Sequence, residues 1–202
     1  MFIFALPVFV GLAGADWRAG LTAYLSLGGL GLLIESLAVA TGWPYGDFSY
    51  SHGLGPTLFG LVPLSLLLTW PPLVLTAVIT ARQFNLPTYL QVILSIAILV
   101  AIDLVLDPGA VAVGYWDFTQ SGWYYDVPLS NYFGWLLSGT IGVMVAFGLL
   151  NNTPKPLVAL SGIMSLAFWI GVVLALDYFL AVVVGLLLLG IFIFAFRRRV
   201  SV

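Results

Sequence analysis

The chain alternates long apolar runs with short segments rich in glycine, proline, aromatic or charged residues. An apolar run of about 20 residues is the length that crosses roughly 30 Å of hydrocarbon as a helix. On that scale, spans are expected from about Phe2 to Ala15, Ala19 to Ala40, Pro56 to Thr80, Pro87 to Leu106 and Tyr132 to Leu150. The stretch from Pro156 to Phe196 is too long for one span and long enough for two, with Asp177 at the turn between them. Polar turns are expected at Asp16-Trp17-Arg18, at Arg82, Gln83 and Asn85, and from Asn151 to Lys155. A loop is expected from Gly42 to Gly55, and an aromatic loop after Asp107. Pro63, Pro71 and Pro72 predict kinks or a break near Trp70, and Pro108-Gly109 predicts the end of the fourth span. Gly28, Gly29 and Gly31 predict close helix packing. The pattern as a whole predicts an all-α, polytopic transmembrane helical bundle of about seven spans, forming one integral-membrane domain over residues 1–202.

Composition agrees. Hydrophobic residues make up 62% of the chain and charged residues 7%, against about 25% charged in an ordinary soluble domain. The net charge of -2 gives no footprint for nucleic acid. The absence of cysteine excludes disulfides, thiol catalysis and thiolate metal sites, and the single histidine excludes a multi-histidine metal site within the chain. The first fifteen residues resemble a signal-peptide core but lack its basic leading segment, so they read as a short first span.

The charges orient the bundle. Arg18 follows span one, Arg82 span three, Lys155 span five, and Arg197, Arg198 and Arg199 span seven. Basic residues stay on the cytoplasmic side, so the N-terminus is expected outside and the C-terminus in the cytoplasm. Glu35, Asp47, Asp103, Asp107, Asp117, Asp126 and Asp177 then fall on the outer half, together with both aromatic loops.

The chemistry concentrates from Asp103 to Trp135. Asp103 and Asp107 are four residues apart and share a helical face. Two carboxylates close together in a low dielectric resist both being ionised. A carboxylic acid in an apolar pocket is what general-acid chemistry on a weak base requires. The plainer alternative for Asp107 is a cap on an Asp-Pro-Gly turn. Glu35 stands in an apolar span with no basic residue within a helical turn. An ionisable residue so placed is rare and usually functional, the alternative being a packing hydrogen bond to another helix. His52 is either a catalyst or a loop hydrogen-bonding residue. Tyrosine and tryptophan rings belong at any membrane interface, and their faces also stabilise cations.

Two ordered motifs carry a resemblance. Thr41-Gly42-Trp43-Pro44-Tyr45-Gly46 with Tyr50, then Leu54-Gly55-Pro56 and Val62-Pro63, resembles one signature of a prokaryotic family of carotenoid biosynthesis membrane proteins. Asp103-Leu104-Val105-Leu106-Asp107-Pro108, then Trp116, Gly122, Tyr124, Tyr125, Pro128, Asn131, Gly134 and Trp135, resembles its second. The family includes the CruF-type carotenoid hydratases, bisanhydrobacterioruberin hydratase among them. The resemblance covers about Glu35 to Trp135. Asp126 departs from it, standing where the family pattern has glycine, and Asp117 lies between the loop aromatics. The chain is also shorter at its N-terminus than the family leads one to expect.

The resemblance implies a hydro-lyase of the prokaryotic cell membrane. It would add water to the terminal double bond of an acyclic carotenoid end, giving a tertiary alcohol. It implies no cofactor and no metal. The carotenoid, water and lipid bilayer would be partners, with other carotenoid-pathway enzymes as candidates. Expected catalytic residues are Glu35, Asp103 and Asp107, with Asp103 or Glu35 as acid and Asp107 as the base that orients water. Trp43, Tyr45, Tyr50, His52, Trp116, Tyr124, Tyr125 and Asn131 are the expected substrate-binding set. Two other classes fit the residues alone: a carotenoid-binding scaffold without chemistry, and a proton-coupled transporter with intramembrane acids as its relay.

Overall fold

The computed structural model describes residues 2–13, 16–150 and 156–200, and among them the chain forms seven α-helices and two short β-pairs. The helices are α1 (Phe2–Leu12), α2 (Trp17–Thr41), α3 (Leu66–Arg82), α4 (Thr88–Ala112), α5 (Leu129–Leu149), α6 (Ala159–Ala175) and α7 (Phe179–Val200). By length and composition α2, α4, α5 and the stretch Phe179–Arg197 of α7 can cross a membrane, while α1, α3 and α6 are shorter apolar helices. The all-α bundle expected from the apolar runs is the observed architecture. The expected turn from Asn151 to Lys155 lies outside the described residues.

Local sequence sets the helix ends. The Asp16 carboxylate accepts the Ala19 N–H at 3.2 Å and caps α2, so Trp17 and Arg18 belong to the first helical turn rather than to a loop. Gly42 closes α2 with φ 75°, its N–H donating to Ala38 O. Residues with positive φ at a helix end are usually glycine because a Cβ is penalised there. The third span starts at Leu66, not Pro56. Residues 56–65 instead form a hairpin in which β2 (Thr57–Leu58) pairs with β3 (Val62–Pro63). Phe59 and Gly60 turn it with φ 51° and 72°, a reversal no helix accommodates. The fifth helix begins at Leu129, behind Pro128.

Proline placement required the largest correction. The fourth helix does not end before Pro108-Gly109 but continues through them to Ala112. Nor does α3 break near Trp70, although Pro71 and Pro72 lie inside it. A proline inside a helix leaves the carbonyl four residues earlier without its N–H partner. For Pro108 that carbonyl is Leu104, and the Tyr124 hydroxyl donates to it at 3.0 Å. For Pro71 it is Leu67, and the Tyr24 hydroxyl donates to it at 2.7 Å. A tyrosine from a neighbouring segment thus replaces the missing backbone donor in each helix. Gly109 is required by packing: a Cβ there would stand 2.9 Å from the Trp169 ring.

Trp70 is the wedge of the core. It is buried, and a Cβ at Gly31 of α2 or Gly142 of α5 would meet its ring at 3.2 or 2.7 Å. Gly28 receives Leu67 in the same way, whereas Gly29 meets nothing within 4 Å. Two of the three glycines singled out in the sequence therefore serve close packing.

One end of the bundle carries a layer of loops. There β1 (Phe48–Tyr50) pairs antiparallel with β4 (Trp116–Phe118), placing Tyr50 opposite Trp116. The Tyr125 hydroxyl accepts the Leu180 N–H at 3.0 Å and ties the second loop to the start of α7. Arg18, Arg82 and Arg197 lie at the far ends of their helices from this layer.

Candidate functional site

Three helices deliver the polar groups. Glu35 comes from the last turns of α2, Asp103 and Asp107 from consecutive turns of α4, and Asn131 from the first turn of α5. All four are buried, with 5%, 1%, 2% and 3% of their surface exposed. Asn131 stands between the two aspartates. Its side-chain amide donates to Asp103 Oδ2 at 3.1 Å and to Asp107 Oδ2. The aspartates are also within hydrogen-bonding reach of each other, and Glu35 is near enough for its charge to act on both. None of the groups acting on the three carboxyls is basic. Asp107 is therefore an interior helical residue rather than a turn cap.

Glu35 is held from the loop layer. The Tyr50 hydroxyl donates to Glu35 Oε2 at 2.9 Å. Burial first, then the neighbouring Glu35 charge, pushes the Tyr50 phenol well above the ordinary tyrosine range. Tyr50 thus stays a donor at any physiological pH. Tyr45 is lifted in the same way, chiefly by burial, and its backbone O accepts from the Ser130 hydroxyl at 3.0 Å. Gly134 makes room for it, since a Cβ at that position would stand 2.2 Å from the Tyr45 ring.

One carboxyl oxygen is left over. Asp103 Oδ1 is buried with no hydrogen-bond partner, as are the hydroxyls of Tyr45, Tyr132 and Ser138. Buried polar groups are ordinarily satisfied. Tyr45 nonetheless stands near enough to Glu35 and Ser138 to interact with both, and Tyr132 near enough to sense Asp103 and Asp107, so these groups gather around the three acids. Tyr132 and Ser138 were not singled out in the sequence. Part of the signal was available, since Ser138 lies seven residues beyond Asn131 on the same face of α5, while Tyr132 directly follows Asn131.

The other expected residues divide. Trp116 meets the Tyr50 ring edge-on at 5.8 Å. Tyr124 is spent on the Leu104 carbonyl, and burial pushes its phenol up to about 12. Tyr125 stacks on Tyr178 with centroids 4.1 Å apart. Trp43 is 58% exposed, and His52 is exposed in a single 3-10 turn, His52–Leu54; neither joins the carboxyl cluster. Asp126 adopts φ 65° and accepts from the Ser121 hydroxyl at 2.6 Å. That left-handed backbone is the reason a glycine suits the position. Among the described residues no group of three or more side chains of the usual ligand types could hold a metal ion.

A cavity of about 220 Å³ lies beside the cluster, walled by rings that include Trp70, Trp116, Trp135 and Trp169.

Comparison with known proteins returns a family and a relative. The family model described as "Carotenoid biosynthesis protein" matches residues 1–192. The bisanhydrobacterioruberin hydratase of Haloarcula japonica is 41% identical over 149 residues, covering 71% of this chain and 50% of that protein. The chain thus spans about half the length of that curated relative. No solved structure matches.

Proposed function

The chain belongs to the carotenoid biosynthesis protein family, and from that membership we propose that it is a hydratase. It adds water to the terminal double bond of an acyclic carotenoid end and releases a tertiary alcohol. The relative's name supports the reaction class. The observation that carries the reading is the buried trio Glu35, Asp103 and Asp107, bridged by Asn131 and with one oxygen of Asp103 unclaimed.

Alkene hydration needs an acid, a way to hold a tertiary cation, and a base for the incoming water. Asp103 is the acid, acting through Oδ1, which no protein group occupies. Its proton goes to the less substituted, inner carbon of the double bond, and the positive charge develops on the terminal carbon that bears two methyl groups. Glu35, with the rings of Tyr50 and Trp116 behind it, faces that charge. Water attacks the cation while Asp107 takes its proton. The hydrogen-bonding reach between Asp107 and Asp103 then returns a proton to Asp103, so the enzyme ends as it began. No cofactor enters the balance. A transporter's relay would need acids distributed through the membrane depth, whereas these three gather at the loop-layer end. The site opens on the outer face, in the cell membrane of a prokaryote, with the N-terminus outside and the C-terminus in the cytoplasm.

The test is pigment analysis in a host that accumulates an acyclic carotenoid. The wild-type chain should produce a more polar pigment heavier by one water, and Asp103→Asn and Glu35→Gln should each reduce it at least ~100-fold, as expected for loss of acid–base participation. Unchanged pigment with the wild-type protein in the membrane overturns the hydratase reading. Full yield from Asp103→Asn overturns its role as acid.

A further inference from the structure

The cavity beside the cluster touches both the site and the flank of the bundle. On the site side it is lined by Trp116 and Trp135. The Trp116 ring meets the Tyr50 ring with centroids 5.8 Å apart, and the Tyr50 hydroxyl donates to Glu35. The Trp135 ring meets the Tyr45 ring at 6.4 Å, and Tyr45 interacts with Glu35 in turn. Two rings of the cavity wall therefore rest on the tyrosines that meet Glu35.

On the flank side the lining passes from buried to exposed. Trp70, Trp135 and Trp169 are buried, Phe4 is half-buried, and Phe168 is 45% exposed. Phe4 of α1 and Phe168 of α6 meet with centroids 5.7 Å apart. Phe168 lies midway along α6, more than about 10 Å from either end at 1.5 Å per residue. In a membrane that height lies in hydrocarbon, not at the water interface. Size and walls then narrow the occupant. An apolar cavity of ~150 Å³ takes up a benzene ring, so one of about 220 Å³ holds on the order of ten carbons. That is a segment of a long hydrocarbon rather than a whole pigment. Aromatic walls stack on a flat conjugated system and give a flexible saturated chain no comparable partner.

We propose that this cavity is the passage by which a linear polyene reaches the carboxyls from the lipid. It enters between α1 and α6 at Phe4 and Phe168, and lies against Trp169 and Trp70 with its end toward Trp116 and Trp135. The polyene identity rests on the hydratase reading; the opening on hydrocarbon and the contact with the Glu35 tyrosines do not. Pigment and water then approach the acids by different routes, the pigment through the flank of the bundle and the water through the loop layer.

The experiment uses the full-length chain in lipid nanodiscs. Lycopene is the probe, and the readout is the circular dichroism that an achiral polyene acquires in a chiral site. Ser165 lines the cavity one helical turn from Phe168 and Trp169. Ser165→Trp fills the space and should weaken lycopene binding at least ~10-fold, the low end of what one misplaced methylene costs in a hydrophobic pocket. Leu187→Trp, which adds the same ring at an exposed position of α7, should leave binding unchanged. A milder variant covers the case in which Ser165→Trp does not fold. In this cysteine-free chain, Ser165→Cys should react with N-ethylmaleimide more slowly once lycopene is bound, whereas Leu187→Cys should gain no protection. Lycopene binding that survives in a folded Ser165→Trp protein, or a Ser165→Cys protein that lycopene leaves as reactive as before, overturns the proposal. So does equal protection by the saturated hydrocarbon squalane, which would make the cavity an acyl-chain groove. Lycopene protection in a protein whose wild type never hydrates a carotenoid keeps the passage and removes the hydratase reading. Full hydration by a folded Ser165→Trp protein keeps the hydratase reading and removes the passage.

Discussion

Asn131 does more than any other single residue to define the candidate site. One side-chain amide supplies donors to two acidic groups on adjacent turns of α4. Replacing it with leucine leaves both aspartates buried without those donors. The expected cost is ~2–4 kcal/mol of stability, given roughly 1.5–3 kcal/mol for each hydrogen bond to a charged group and partial relaxation. Product yield should fall at least as far as in Asp103→Asn. Denaturation of the purified protein beside pigment analysis separates the two effects, and a stable, fully active Asn131→Leu protein would remove Asn131 from the site. Asp126 presents the opposite case. Its φ of 65° costs a non-glycine residue about 1–2 kcal/mol, least for Asp and Asn. Asp126→Gly should therefore change stability by less than about 1 kcal/mol despite losing the Ser121 contact, whereas Asp126→Val should destabilise by about 1–2 kcal/mol or more. Thermal unfolding of the two variants checks the sign. The departure from the family's glycine was visible in the sequence, but that it falls at a left-handed backbone position is seen only in the structure.

At the scale of elements, the legible part was apolar periodicity and the illegible part was proline. The i, i+4 spacing of Asp103 and Asp107 put them on one face, and the helix does so. Reading Pro108-Gly109 as a stop failed because the compensation is remote. The hydroxyl that replaces the missing donor comes from Tyr124, twenty residues beyond the carbonyl it serves. In α3 it comes from Tyr24, forty-three residues before Leu67. No local rule anticipates either. The arrangement makes a sharp prediction. Tyr124→Phe should cost about 1–2 kcal/mol, the usual penalty for stranding a buried carbonyl. In a Pro108→Ala background the new backbone N–H can serve Leu104 itself, so the same Tyr124→Phe change should cost less than about 0.5 kcal/mol. A double-mutant cycle on unfolding free energies reads the coupling, and additive costs would sink the account. The aromatic loops illustrate the same boundary. That they share an end of the bundle followed from counting spans. That Tyr50 lies opposite Trp116 and donates to Glu35 required the β1–β4 pairing. Trp43, from the first motif, and His52, from the loop beside it, have no place beside the carboxyls.

At the scale of the whole molecule, the distribution of charge decides where the chemistry can occur. The carboxyl cluster and the loop layer occupy one end of the bundle, while Arg18, Arg82 and Arg197 occupy the other. Arg82 lies over the Phe147 ring at 4.5 Å, an interfacial arrangement suited to a cation at the edge of hydrocarbon. Basic residues flank the cytoplasmic ends of spans; on the orientation proposed from them the loop layer faces outward, and the water of the proposed hydration arrives from that side. The chain contains no cysteine, which makes this testable without background. A cysteine at Asp117 or His52, both exposed in the loop layer, should react in whole cells with a membrane-impermeant maleimide. One at Asn85, exposed in the turn between α3 and α4, should react only after the membrane is opened. The reverse pattern would place the acids at the cytoplasmic face and require the hydrating water to come from the cytoplasm, leaving the carboxyl geometry intact but overturning the orientation argued from the arginines.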